Sequence, residues 1–205
     1  EVAMRNARLA LPACAALALI ACSIGKPIPA PNTYVVQPPA PEGASSSNPN
    51  TESLRVGNVR VAAAYAGAAL VYRMDEVQFT SDPYSRFIAE PATMLGDQMA
   101  VWLAGTGRFA VVGPESARPA HYLLETTVTE LYGDFRSGRQ PAAVLAVQFA
   151  LLDQTSARPK AVLERSIARR VDLPRASPDA LVRGYGDAFA QILAELSTDL
   201  QVVRK

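Results

Sequence analysis

Three stretches of alternating side chains, set close together in the chain, constrain the fold more than any other feature. Tyr122, Leu124, Thr126 and Val128 share one face of the first; Leu145, Val147, Phe149 and Leu151 share one face of the second; Leu163, Ile167, Val171 and Leu173 belong to the third. A period of two places every second side chain on the same side, as in a strand with one buried face. The breaks between the stretches, RSGRQP at 136–141 and QTSARP at 154–159, are rich in turn formers, so an antiparallel meander is expected. The period then changes. Ser177 is placed to cap a helix with Pro178 at its first position, and Leu181, Tyr185, Ala188, Ile192, Leu196 and Leu200 recur at helical spacing as a buried stripe.

The preceding part of the chain supplies shorter elements. LRVGNVRV at 54–61 alternates as a half-buried strand, with Gly57 out of phase. Residues 69–73 and 76–79 flank Met74-Asp75 and read as a short hairpin, although Met-Asp is not a favoured turn pair. Pro91 is suited to the first turn of a helix that carries Leu95, Met99, Trp102 and Leu103 on one face, and Gly105-Thr106-Gly107 ends it. Phe109–Val112 follows as a strand. Strands, helix, strands, helix is the order of an α+β domain: a mostly antiparallel β-sheet with two helices packed on one face.

Little in this chain points to catalysis. Gly105-x-Gly107 follows a helix rather than a strand and lacks both a third glycine and a Walker lysine, so a helix C-cap explains it better than a phosphate loop. His121 is the sole histidine and has no G-x-S-x-G elbow to serve. Asp75-Glu76 and Arg169-Arg170 are adjacent like charges expected at turns or strand edges. With 20 basic and 19 acidic residues, the chain has no field that would draw in nucleic acid. No enzyme activity, metal or nucleic-acid partner is expected.

The N-terminus carries an address. Arg5 and Arg8 precede the apolar run Leu9–Cys22, which contains Pro12 and falls short of the about 20 residues that a spanning helix takes. Positive charge followed by a short apolar run is the layout of a secretory signal. The run ends in Leu19-Ile20-Ala21-Cys22, which resembles the lipobox of bacterial lipoproteins. Residues 1–21 are thus expected to be a signal peptide cleaved after Ala21, with Cys22 carrying the covalent lipid; no other cofactor is expected. Several acyl chains at about 0.8 kcal/mol per buried methylene make a firm membrane anchor. Ser23 rather than Asp follows, which in Gram-negative sorting favours the outer membrane. Cys14 would leave with the signal, so the mature chain would hold no free thiol and no Cys/His zinc site.

Residues 22–53 hold seven of the sixteen prolines and a Ser/Asn-rich end, a composition expected of a polyproline-II-like tether rather than of a core element. Within it, the β-prone patch at 33–36 is either a first edge strand or a local apolar blip. The folded domain is expected over 54–205.

The residues also resemble a family. Leu54-Arg-Val-Gly-Asn-Val-Arg-Val61, Leu70-Val-Tyr-Arg73, Tyr84-x-x-Phe-x-x-Glu-Pro-x-x-Met-Leu95, Leu103-x-x-Thr-Gly-Arg-Phe109 and Asp179-Ala-Leu-Val182 stand in the order and spacing of the ABC-type transport auxiliary lipoproteins, which include a paraquat-inducible lipoprotein associated with MCE-type lipid transport. Two departures are Phe87, where that family commonly has Trp, and a long Pro/Ser insertion after Tyr34-Val35-Val36. The resemblance implies a lipid-anchored periplasmic component of the outer membrane that works by docking, with an MCE-family protein and an ABC transporter as partners and a homo-oligomeric ring as a possible assembly. It transfers no catalytic residues. Tyr72, Arg73, Tyr84 and Phe87 are the candidate partner interface, because aromatic and arginine side chains at predicted loops or edges are favoured at hot spots; covering the core beneath the following helix is the competing role for Tyr84 and Phe87. The rival function is a structural or assembly lipoprotein of an outer-membrane complex with no direct role in lipid transport.

Overall fold

The computed structural model describes residues 30–43 and 52–203. Cys14, Ala21 and Cys22, and with them the signal and lipidation assignments, lie outside the described residues. The compact unit that holds the described elements starts at Pro31.

In chain order the elements are β1 (Asn32–Tyr34), β2 (Ser53–Val61), a 3-10 turn (Ala63–Tyr65), β3 (Ala69–Arg73), β4 (Phe79–Phe87), α1 (Pro91–Gly105), β5 (Ala110–Val112), β6 (Tyr122–Asp134), β7 (Ala142–Asp153), β8 (Lys160–Asp172) and α2 (Pro178–Val203). The fold is α+β, as expected. The three alternating stretches are β6, β7 and β8, and they form the antiparallel meander; these two long ladders make the sheet mostly antiparallel.

The parallel pairings are the part that the patterns did not foretell. β7 occupies one edge of β6 along its length. The opposite edge of β6 is divided: β2 runs parallel to its first half, Leu54 opposite Tyr122 through Val61 opposite Val128, and β3 runs parallel to its end, Tyr72 opposite Gly133. The β2–β6 register shifts between Val56 and Val59, where Gly57 was out of phase. A Cβ at Gly57 would lie 3.1 Å from the Leu124 carbonyl oxygen, tighter than an ordinary contact, so glycine suits the bulge there. β5 adds to the outside of β2, while β4 and then β1 extend the sheet beyond β3.

Both helices cover one face. α1 packs on β2 and β5, α2 on β7 and β8, and the two helices touch. Pro91 opens α1, and Gly107 at φ +65° closes it, its N–H donating to the Ala104 carbonyl. The expected face of α1 is buried, joined by Met94. In α2 the Leu181 N–H reaches the Ser177 carbonyl, and the whole expected stripe from Leu181 to Leu200 is buried with Phe189 and Leu193. These stripes meet Leu124, Val128, Leu145, Val147 and Phe149 from the sheet in one core. At the edge of the sheet, Arg165 pairs with Asp199 at 2.8 Å and Arg169 with Glu195, tying β8 to α2.

Two expectations are corrected. First, the hairpin is longer than read: Met74–Gln78 is a loop, closed by Met74 N–H on the Gln78 carbonyl at 2.9 Å, and the second strand is 79–87. Asp82 explains how a strand passes through Ser-Asp-Pro. Its carboxylate accepts the N–H groups of Tyr84 and Ser85 at 2.7 and 3.0 Å, absorbing the local irregularity, and the β3–β4 register shifts between Ala69 and Val71.

Second, the proline-rich segment before residue 54 is in part a core element. β1 pairs parallel with β4, so the patch at 33–36 contributes an edge strand at 32–34, and Val36 beyond it is 0% exposed. The chain then runs between the helices. Val36 N–H points at Met94 Sδ at 3.4 Å, and the Trp102 indole N–H donates to the Pro39 carbonyl at 2.9 Å. Glycines permit this approach: a Cβ at Gly186 of α2 would sit 2.7 Å from the Gln37 carbonyl oxygen, and one at Gly105 of α1 would meet Pro41 at 3.3 Å. An extended segment has no internal hydrogen bonds, so its carbonyls are free to accept from a helix side chain, and its prolines lack donors to satisfy.

Candidate partner interface

The four candidate residues lie on two neighbouring strands. Tyr72 and Arg73 end β3; Tyr84 and Phe87 lie on β4. Their roles differ sharply. Phe87 is 2% exposed, its ring centroid 6.2 Å from that of Tyr185 on α2, so it belongs to the core beneath the helices and offers no surface. Tyr84, on the same strand, is 48% exposed.

Tyr72 is partly buried. Its ring stacks on Phe135 with centroids 4.9 Å apart, and its hydroxyl donates to Asp82 Oδ2 at 2.6 Å. Burial, followed by the bond to and charge of Asp82, pushes its pKa well above that of an ordinary phenol. Burial works to raise the Asp82 pKa, but the hydrogen bonds from Tyr72, Tyr84 and Ser85 outweigh it and hold the carboxyl below its ordinary value. Tyr34 of β1 is raised by burial and then by the Asp179 charge at the start of α2. Tyr72 therefore belongs to a polar seam, centred on Asp82, that joins β3 and β4.

Arg73 organises the loop beyond it. Its Nε donates to the Asp75 carbonyl at 3.2 Å, its Nη2 to the Glu76 carbonyl at 2.8 Å and to Glu76 Oε2 at 3.0 Å, and its guanidinium lies 5.7 Å over the Phe79 ring. Glu76 also receives Arg136 at 2.6 Å and Arg139 at 3.4 Å from the β6–β7 turn. Behind them Asp134, buried at the end of β6, is gripped by Arg136 through Nε at 2.8 Å and Nη2 at 2.7 Å, and by Arg170 of β8 at 2.5 Å. The bonds from Arg136 and then Arg170 outweigh burial and hold the Asp134 carboxyl far below the usual carboxylate range. One ionic network thus clamps the Met74–Gln78 loop to the body of the sheet.

The clamped loop presents apolar side chains to solvent. Val77 at the tip is 91% exposed, with Met74 and Phe79 exposed beside it. Val35 and Ile88 are exposed with Tyr84 along the β1–β4 end of the sheet. None of these five apolar residues was picked out from the sequence. Val77 was hidden because Glu-Val-Gln-Phe reads as a strand, in which valine would be half-buried. A rigid loop that shows apolar side chains loses little entropy when it docks, which is what an interface anchor needs.

His121 has a local role. Its Nδ1 lies 2.8 Å from Ser53 Oγ, and its backbone N–H bonds back to Ser53, clasping the start of β2 to the start of β6. Among the described residues, no three His, Cys, Asp or Glu side chains gather as metal ligands, and no helix is long and apolar enough to cross a membrane.

The family model described as "ABC-type transport auxiliary lipoprotein component" matches residues 34–197. No curated protein matches the chain. Among solved structures, it is similar to a crystal structure of a Xanthomonas campestris protein, with a TM-score of 0.67 and 18% identity over 85% of this chain and 94% of that one. It is similar also to an uncharacterized protein, with a TM-score of 0.67 and 17% identity over 84% of this chain and 99% of that one. At such identities the likeness is one of fold. The match from Tyr34 to Ser197 takes in the last residue of β1, the strap that Val36 to Pro41 form between the helices, and every later element but the end of α2, and on that ground the chain belongs to the ABC-type transport auxiliary lipoprotein family.

Proposed function

We propose that this protein is anchored through a lipid on Cys22 to the periplasmic face of the outer membrane and serves an ABC transporter that moves lipid together with an MCE-family protein. The family match over residues 34–197 supports the role beside an ABC transporter. The lipobox-like Leu19-Ile20-Ala21-Cys22 and the Ser at position 23 support the anchor and its membrane. The protein acts by docking, without a catalytic step. Its anchor holds one end at the membrane while the domain meets its partner, and the clamped tip at Val77, with Tyr84 nearby in the chain on β4, supplies the contact. Tyr72 and Arg73 position that surface, and Phe87 supports it from inside the core.

Co-purification from mildly solubilised membranes tests the proposal. Recovery of ABC-transporter subunits and an MCE protein is expected; recovery with a β-barrel assembly partner, and never with an MCE protein, would favour the assembly role instead. Mass spectrometry of the mature N-terminus tests the anchor, and an unmodified chain that begins elsewhere than Cys22 would remove it.

A further inference from the structure

A groove away from the hairpin tip has the form of a strand-addition site. β5 pairs with β2 only from Ser53 to Arg55, opposite Ala110 to Val112. The chain is then drawn off the sheet: Arg55 Nη1 donates to the carbonyls of Gly113, Pro114 and Ser116 at 3.1, 3.3 and 2.7 Å, and its Nη2 donates to that of Arg118. Among the described residues, β2 has no strand beside it past Arg55 on the side away from β6. Each strand in a ladder directs half its backbone donors and acceptors to each side, so this edge is open to pairing.

The edge is walled by α1. Between them lies a groove of about 550 Å³, floored by Val56 and Val59, walled by Ala92, Gly96, Asp97, Ala100 and Val101, and bounded at the β5 end by Gly113 and Pro114. Ala92, Gly96 and Ala100 keep the middle of the wall small, and a Cβ at Gly96 would already touch Val59 at 3.3 Å. Val101 on the rim is 70% exposed. Open edge and apolar groove face the same space, so an entering chain would find backbone partners on one side and room for alternate side chains on the other. Charge sets the remaining positions. Arg60 is exposed on the sheet face that the helices leave uncovered, in a cleft it shares with Glu125 and Glu164; its one side-chain hydrogen bond among those described is 3.4 Å long, to Thr127 Oγ1, and none of the described ion pairs includes it.

We infer that the open β2 edge beside α1 binds an extended segment of a partner polypeptide, added as a strand in line with β5. Alternate apolar side chains enter the groove, and an acidic side chain between them meets Arg60. The inference is independent of the identity of the transport partner.

The test uses amide NMR of the full chain with a capped peptide of alternating valine and aspartate, beside the same peptide N-methylated at alternate residues. Saturable shifts at the amides of Val56–Val61 and along α1 are expected with the first peptide and not with the second. Val101→Asp, an exposed change that spares the fold, is expected to weaken binding by about tenfold or more through repulsion and loss of one apolar wall. Arg60→Gln is expected to weaken binding of this peptide but not of a valine–serine peptide. No saturable shift at those amides, or equal binding of the N-methylated peptide, overturns the inference. The same amides shifting with protein concentration alone also overturns it, by assigning the edge to a second copy of the chain.

Discussion

Gly186→Ala is the substitution that most directly probes how the strap is held. Alanine in place of a mid-helix glycine stabilises an exposed helix by about 0.8–1.0 kcal/mol. Here the new Cβ would lie 2.7 Å from the Gln37 carbonyl oxygen, a backbone atom that gives way only if the strap moves. Lifting the strap exposes Val36, at about 1.5–3 kcal/mol for a fully buried aliphatic side chain. It also breaks the Trp102–Pro39 hydrogen bond, worth about 0.5–1.5 kcal/mol. The loss exceeds the helix gain by about 1–3.7 kcal/mol, so Tm is expected to fall by about 2–15 °C for a domain of this size. Trp102 is the sole tryptophan, so its fluorescence reports the strap directly and is expected to shift towards that of a solvated indole. A variant stabilised by about 1 kcal/mol with unchanged Trp102 emission would refute the reasoning, because helix propensity alone would then describe the site.

Other outcomes follow from the same structure. The Tyr185 hydroxyl is buried and has no hydrogen-bond partner among the described residues, so Tyr185→Phe is expected to leave stability unchanged or raise it by up to about 1 kcal/mol in denaturant titration. Asp134 has a depressed pKa in the folded protein, so its contribution is complete above the unfolded carboxylate value of about 3.9 and is lost as pH falls from there towards the folded value. Asp134→Asn is expected to cost about 2 kcal/mol at neutral pH and to flatten the acid limb of a stability–pH curve; a limb as steep as that of the parent would count against the network. Val77→Asp, at a fully exposed tip, is expected to change stability by less than about 0.5 kcal/mol while reducing recovery of the transport partner.

The elements legible in the sequence are those whose burial is periodic. β6, β7 and β8 alternate between clear turn clusters, and the stripes of α1 and α2 recur at helical spacing between recognisable caps, so both the meander and the helix layer could be read. Pairing between distant strands leaves no local period, and the parallel contacts of β2 and β3 with β6 were therefore missed. β4 was cut short because Ser81-Asp82-Pro83 has turn composition, whereas the structure uses Asp82 to carry a strand through it.

The strap was the larger miss, since proline-rich composition describes an extended chain equally well on the surface or between helices. Two signals pointed the other way. Gly186 sits inside a strong helical pattern, where glycine is costly unless something approaches closely, and the indole N–H of Trp102 on a buried face needs an acceptor. At the candidate interface, residue type selected Tyr84, which is exposed, and equally Phe87, which is not. Aromatic character does not separate a surface anchor from a core side chain, because both bury large apolar area in the complete assembly.

The central claim, that this domain docks on a lipid transporter from an anchor at Cys22, is tested most directly by photocrosslinking in intact cells from position 77. The account predicts an adduct with an MCE-family protein or an ABC-transporter subunit, lost when Cys22→Ser removes the anchor. Adducts formed only with β-barrel assembly proteins, or formed equally without Cys22, would contradict it.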